Sequence, residues 1–279
     1  MVRIVLDSSS DYLPEEFEEK QMEMVQFSVT FGSKTYQDGI DITRDEYFDM
    51  LIREDEFPTT SQPSPALFLE HFEAAKEAGD EVVCMTLAGA LSGSYQSAMV
   101  AKGMAEYDDI YVIDPQNATA GIQMLANYAC DLRDQGKSAA EITKEVEDLR
   151  SRVHLYFMVD TLDYLFQGGR LSRASFAAGK MMRIKPLLML GDEGEIVVTD
   201  RCVGTNRALD TLVEHIKEKP LDENFPFYSI YSAGIPNCEE LEERLRSKGI
   251  TVDERRQFGL TIGTHSGPGC AGVVYVTKE

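Results

Sequence analysis

Three short segments hold the residues of this chain best suited to chemistry: Thr59-Thr60-Ser61-Gln62, Gly89-Ala90-Leu91-Ser92-Gly93-Ser94 and Thr264-His265-Ser266-Gly267-Pro268-Gly269. Each is small and hydroxyl-rich, and each falls at the edge of a strand or helix pattern. Together they offer neutral hydroxyl donors, backbone N–H groups and one imidazole, with no lysine or arginine among them. That set suits a carboxylate or a phosphate better than a metal ion. The middle segment follows the apolar run Val82-Val83-Cys84-Met85, which reads as a buried strand, and it leads into a helical pattern. A small-residue loop there exposes N–H groups at a helix N-terminus, where unpaired donors and the helix dipole both favour an anion. Small residues also build a well-capped turn with no ligand, so the loop alone does not decide.

Other chemistries fit less well. Ser92 or Ser94 could act as a nucleophile with His265 as its base if the fold brings them together. A strand-to-helix nucleophile elbow requires G-x-S-x-G, however, and Gly89-Ala90-Leu91-Ser92-Gly93 sets the serine one place late. A lone histidine among small residues is equally at home as a structural hydrogen-bonding group. Gly267-Pro268-Gly269-Cys270-Ala271-Gly272 spells G-x-G-x-x-G, but the pattern after it is a strand and then the end of the sequence. A dinucleotide site needs a following helix and an acid about 20 residues on. There is no Walker motif, and the four histidines show no metal-ligand spacing. The reading therefore carries no metal and no cofactor.

Composition narrows the setting. The 279 residues are 43% apolar and 27% charged, enough for a sizeable core, and the length suggests two domains. The net charge of −21 argues against nucleic acid or an anionic membrane surface as a partner. A local basic patch is nevertheless present around Arg170, Arg173, Lys180, Arg183 and Lys185. The five cysteines are scattered and odd in number, which fits a reducing cytoplasm rather than a disulfide framework. No signal-peptide pattern opens the sequence, and no apolar run approaches the ~18 residues of a membrane span.

The candidate segments need elements to hold them. Val2–Leu6 reads as a buried strand, followed by the polar loop Asp7-Ser8-Ser9-Ser10-Asp11 and a short helix opened by Pro14. Strict alternation over Val25–Phe31 predicts one half-buried strand, and Thr43–Arg53 a short amphipathic helix. The prolines at 58, 63 and 65 keep the chain extended before a helix for which Ser64 is the expected cap. Strands over 82–87 and 110–114 alternate with helices after Ser92, over 119–135 and after the capping box Ser138-Ala139-Ala140-Glu141. Such β-α repetition predicts a parallel sheet covered on both faces. The second half reads as a strand over 155–159, a basic Met-containing helix to about Met182, and a hairpin around Gly191-Asp192-Glu193-Gly194. Helices over 205–218 and 237–248 follow, with strands over 227–231 and 250–254, and Leu260–Gly269 reads as alternating loop and strand. The expectation is an α/β protein of two domains. Residues 1–153 would form a three-layer α/β/α parallel-sheet domain, and 154–279 a smaller two-layer domain with a mixed sheet.

Several motifs together resemble the DegV family of bacterial fatty-acid-binding proteins. They are Asp7-Ser8, Thr59-Thr60-Ser61-Gln62-Pro63, Leu91-Ser92-Gly93-Ser94-Tyr95-Gln96-Ser97-Ala98, Leu162-x-x-Leu165-x-x-Gly168-Gly169-Arg170, Lys185-Pro186 and Thr264-His265-x-Gly267-Pro268-Gly269. They occur in family order across nearly the whole chain. The resemblance implies two α/β domains with a long-chain fatty acid between them, its tail in an apolar tunnel and its carboxylate held by the polar loops. It implies a binding protein, not an enzyme, that hands its fatty acid to a separate fatty acid kinase. Carried over to this chain, the lipid-binding residues are Thr60, Ser61, Gly89, Ala90, His265 and Ser266. Burial of a C16 tail at about 0.8 kcal/mol per CH₂ yields on the order of 10 kcal/mol, so the head group needs only orientation.

Two departures stand out. The family usually has two serines where this chain has Ala88-Gly89, and Gly89 can offer only its N–H. One hydroxyl bond of about 1 kcal/mol is thereby missing or replaced. An arginine linked to kinase contact aligns with Val203, with Arg201 two places away, which bears on the hand-off more than on lipid binding.

Overall fold

A computed structural model describes residues 1–54, 56–173, 176 and 184–278. Its first sheet joins β1 (Val2–Asp7), β2 (Met22–Val25), β6 (Glu81–Met85) and β7 (Ile110–Ile113) in the order β2-β1-β6-β7, all parallel. Helices α3 (Pro65–Ala78) and α4 (Ser94–Ala105) cover one face, where Phe68, Phe72, Ala98 and Ala101 pack on Val5, Val82 and Cys84. Near-continuous apolar strands are what a doubly covered parallel sheet requires. Helix α5 (Ala120–Asp134), followed by α6 (Ala139–Arg150), lies on the other side and touches β1, β8 and β13. It is buried on nearly all sides, from Ala120 to Leu132, as befits a helix between two layers.

The second sheet is mixed and six-stranded. It joins β8 (Val153–Met158), β9 (Ile184–Leu190), β10 (Ile196–Val203), β11 (Tyr228–Tyr231), β12 (Glu254–Gln257) and β13 (Ala271–Val276) in the order β10-β9-β8-β13-β11-β12. Only the β11–β12 pair is parallel. Alternation along β8 turns Leu155 and Phe157 toward the large core shared with the first sheet. Tyr156 and Met158 instead face α8 (Thr205–Ile216) and α9 (Pro236–Ser247). Further helices are α1 (Pro14–Glu19), α2 (Arg44–Arg53), α7 (Asp163–Gln167) and α10 (Leu260–Ser266). A third, small antiparallel sheet, β4-β3-β5, is formed by β3 (Ser28–Phe31), β4 (Lys34–Gln37) and β5 (Thr59–Ser61).

Four expectations are corrected. The alternating run Val25–Phe31 is divided between two sheets: β2 ends at Val25 and β3 starts at Ser28. Between them Phe27 donates its N–H to Ser8 Oγ at 2.9 Å and accepts from the Asp38 N–H, which turns the chain out of the first sheet. Of the expected strand 250–254, residues 250–253 are not extended into a sheet. Ile250 and Val252 pack under the second core cluster, and β12 starts at Glu254. Ser64 stands at the N-cap position of α3 but makes no side-chain cap bond. Leu260–Ser266 is a helix, although Thr and Ile are mediocre helix formers and Gly263 a poor one. The cap comes from far away in sequence: Asp38 accepts from the N–H of Leu260 at 3.0 Å and of Thr261 at 2.9 Å. The basic helix expected up to Met182 falls on residues outside the described ones.

Candidate functional site

Elements from both ends of the chain enclose one mainly apolar cavity, with about 610 Å³ of atom-free space including its mouth. Its walls are Phe27, Leu87, Leu91 and Ala118 from the first half, and Leu155, Phe157, Leu165, Leu190, Ile196, Phe258 and Ile262 from the second. The second sheet and α10 each supply four lining residues, the sheet through the inward residues of β8 and the β9–β10 hairpin.

Thr60, Arg170, His265 and Ser266 supply polar groups to the lining. Thr60 on β5 and His265 on α10 share a hydrogen bond of 2.9 Å between Oγ1 and Nε2. The other ring nitrogen, Nδ1, is buried and has no partner among the described residues. Burial, and then the neighbouring Arg170 charge, push the His265 pKa down to about 3, so the ring is neutral at physiological pH. Arg170 donates through Nε to the Leu91 carbonyl at 2.9 Å and through NH1 to the Gly168 carbonyl at 2.6 Å. It has no ion pair with a carboxylate among the described residues, and burial lowers its pKa. Ser266 Oγ is nearby in the chain and donates to the Gly267 carbonyl at 3.3 Å. A partly desolvated guanidinium, a neutral imidazole and a threonine hydroxyl on an apolar wall form a place for an anion.

Glycines let these parts meet. A Cβ at Gly168 would lie 2.1 Å from His265 Nδ1, so the imidazole occupies the space of the missing side chain. A Cβ at Gly93 would lie 2.4 Å from the Gln62 amide, which packs the 59–62 strand onto the 89–94 loop.

The residues expected from the sequence are distributed unevenly. Thr60, His265 and Ser266 line the cavity. Ser61 is exposed on β5, where it pairs with Ser28. Gly89 and Ala90 are exposed and are not among the lining residues. The Gly89 N–H donates to the Asp114 carboxylate, 3.2 Å from each oxygen, and a Cβ there would lie 2.7 Å from Asp114 Oδ2. Ala88 packs against the tip of the β9–β10 hairpin, since a Cβ on Gly194 would lie 2.8 Å from the Ala88 Cβ. Gln62 donates to Ser97 Oγ at 3.2 Å.

Nor does the geometry assemble a hydrolytic pair. Ser94 Oγ donates to Asp7 at 2.6 Å, and Ser92 Oγ accepts from the Ser94 N–H at 3.2 Å. Asp7 is fully buried and also accepts from Ser9 at 2.5 Å and from the Leu87 N–H at 2.8 Å. Burial still outweighs these bonds and raises its pKa to about 6. Asp7, Ser9 and Ser94 thus tie the first two βα loops together, while the His265 ring bonds to Thr60. No group of three or more His, Cys, Asp or Glu side chains is placed to hold a metal among the described residues. No described helix is long and apolar enough to cross a membrane.

Arg170 is the wall residue that the loop-by-loop reading did not select. Its signal was present in Gly168-Gly169-Arg170, where one glycine admits the imidazole and the next takes φ +75° to turn the chain. In the sequence Arg170 belongs both to that motif and to the local basic run with Arg173 and Lys185.

The fold and site define a class: an α/β protein with an apolar cavity whose wall carries polar groups suited to an anion. The family model described as "Uncharacterised protein, DegV family" matches residues 1–278, and the chain belongs to that family. A DegV domain-containing protein of Caldanaerobacter subterraneus subsp. tengcongensis is 34% identical over 284 residues, covering 99% of each chain. Among solved structures, a fatty-acid-binding DegV family protein from Thermus thermophilus superposes with a TM-score of 0.89 at 30% identity, covering 99% of each chain. A stearic acid-binding protein from Eubacterium ventriosum superposes with a TM-score of 0.87 at 29% identity, covering 100% of this chain and 99% of its own.

Proposed function

We propose that this chain is a fatty-acid carrier. One long-chain acid would lie between the unit formed by residues 1–153 and that formed by 154–279. Its tail would run along Leu155, Phe157, Leu190 and Phe258, and its carboxylate would meet Thr60, His265, Ser266 and Arg170. The observation that carries this reading is the pairing of an apolar cavity with an arginine that has no acid partner among the described residues. A carboxylate would supply the missing charge, and the tail would bury surface worth about 0.8 kcal/mol per CH₂. The fatty-acid-binding descriptions of the Thermus and Eubacterium proteins support the same ligand class.

Ser61, Gly89 and Ala90 form the rim in this reading and do not contact the head group. Asp114 already takes the Gly89 N–H, which a second carboxylate could share only against like-charge repulsion. Presentation to a separate fatty acid kinase belongs to the same proposal and rests on the family resemblance. Val203, 71% exposed at the end of β10, would then be part of the surface offered to that partner.

Native mass spectrometry of the purified chain tests the carrier reading. The expected result is one bound C14–C18 acid that is lost under denaturing spray. An empty chain that also takes up no stearate, or one that hydrolyses acyl or phosphoryl esters through Ser92 or Ser94, would overturn it.

A further inference from the structure

The seam between the first half of the chain and α10 buries more negative charge than it balances. Asp11 and Asp38 are each 2% exposed. A Cβ at Gly259 would lie 2.6 Å from Asp11 Oδ1 and 3.2 Å from Asp38 Oδ1, so the two carboxyls flank the residue that opens α10. Asp38 is fully used there, one oxygen accepting from the Leu260 N–H at 3.0 Å and the other from the Thr261 N–H at 2.9 Å. Neither oxygen of Asp11 has a hydrogen-bond partner among the described residues. The Gly259 N–H and the Thr119 hydroxyl lie against Asp11 but outside hydrogen-bond geometry. Arg44 is the cation that acts on both acids. Its guanidinium is directed at carbonyls, donating to Gln257 at 2.7 Å and to Asp11 at 2.9 Å. With both acids ionised, one buried negative charge stays without a counter-charge.

The surroundings of Asp11 are rich in oxygen. Thr119 is 1% exposed, faces Asp11, and its hydroxyl has no partner among the described residues. The same holds for the hydroxyl of Ser10, next to Asp11 in the chain, and for the amide of Gln123, fully buried one helical turn after Thr119. A bond of 3.0 Å from the Thr119 N–H to the Ser9 carbonyl holds the start of α5 against this loop. Buried charges in folded proteins are paired or coordinate metals, and a buried polar atom with no partner calls for a water or an ion. Water would satisfy the hydroxyls and leave the charge. A proton on Asp11 would neutralise the charge and serve one acceptor at most. A carboxylate, two hydroxyls and an amide carbonyl are hard donors, which suit an alkali or alkaline-earth ion rather than a transition metal. The charge then decides between those two. A singly charged ion neutralises the seam, whereas a divalent ion would leave it positive, with a single free carboxylate to hold it.

We propose that Ser10, Asp11, Thr119 and Gln123 hold a monovalent alkali cation, which braces the start of α10 against the first half of the chain. The site is independent of the carrier reading above. The test is thermal unfolding of the purified chain at about pH 8, where carboxyls are ionised, in lithium, sodium, potassium and N-methylglucamine chlorides of matched ionic strength. Sodium or potassium should raise the melting temperature above that in N-methylglucamine by about 5 °C once present at about 100 times its dissociation constant. Asp11→Asn, which removes the charge and keeps the shape, should lose that difference. Crystals soaked in rubidium chloride give a second reading, with an anomalous peak expected in contact with the Asp11 carboxylate. Equal melting temperatures in all the salts would overturn the proposal and leave a proton on the acid pair as the neutralising group. A cation-dependent rise that persists in Asp11→Asn would overturn the assignment to this seam. If Asp11→Asn does not fold, the rubidium map decides: a peak at Asp11 supports the site, and a map without one overturns it.

Discussion

The substitution Gly168→Ala isolates the head-group geometry from the rest of the molecule. Gly168 has φ −69° and ψ −8°, a helical conformation that alanine adopts freely. The backbone effect alone therefore favours folding by about 0.4–1 kcal/mol. The new methyl, however, would start 2.1 Å from His265 Nδ1 and 3.1 Å from the Tyr164 carbonyl oxygen. Restoring an ordinary 3.4 Å contact requires the imidazole to retreat by about 1.3 Å. The 2.9 Å bond from His265 to Thr60 does not survive that movement. Losing one bond that orients a buried carboxylate costs about 1.5–3 kcal/mol, or roughly 10- to 150-fold in affinity. The assay is calorimetric titration of delipidated wild type and variant with stearate, alongside thermal unfolding of the free proteins. The expected outcome is a large affinity loss together with a lowered melting temperature, because the clash and the broken His265–Thr60 bond outweigh the backbone gain. Unchanged stearate affinity would refute the claim that the His265–Thr60 pair meets the carboxylate.

Three further outcomes follow from the same geometry. Thr60→Val, which keeps shape and removes the hydroxyl, should weaken stearate binding by about 1–3 kcal/mol, read by displacement of a fluorescent fatty acid. Ala118→Leu should narrow the cavity beside α5 and cost about 1–3 kcal/mol for C18 acids, with a smaller loss for C12, measured across a chain-length series. Asp11→Asn should change the pH dependence of stability. The folded pKa of Asp11, about 7, lies above its ordinary 3.8, so the native state binds the proton more tightly than the unfolded chain does. Its contribution is fully present below pH ~4 and is lost as pH rises to about 7, by at most about 4 kcal/mol. The variant should therefore gain stability relative to wild type over that window, read as melting temperature against pH. A constant offset would show that Asp11 does not titrate there.

The parts of the molecule readable in the sequence are those set by local pattern. The Ser138 capping box, the apolar strands Val2–Leu6 and Val82–Met85, and the hairpin at Gly191–Gly194 all announce themselves within a few residues. Features decided by distant partners were not readable. Helix α10 is capped by Asp38 across 222 positions, so His265 sits on a helix where the local residues suggest loop and strand. The run Val25–Phe31 keeps its two-residue period while passing from one sheet to another, and periodicity does not record which sheet a strand joins. The site shows the same division. Thr60, His265 and Ser266 were marked by residue type and motif and line the cavity. The contact that occupies the Gly89 N–H comes from Asp114, 25 residues further along. The place of Arg170 on the cavity wall depends on its bonds to the Leu91 and Gly168 carbonyls, the first from a loop 79 positions away.

The central claim is most directly tested by carbon NMR of the delipidated chain titrated with stearate labelled at its carboxyl carbon. One equivalent should give a single bound resonance, distinct from free acid, whose position does not titrate through the usual carboxylic acid range because Arg170 and Thr60 hold the carboxylate ionised. In Thr60→Val that resonance should move or broaden. A labelled carboxyl that shows only the free or micellar signal, at any ratio of acid to protein, would contradict the assignment of this cavity to a fatty acid.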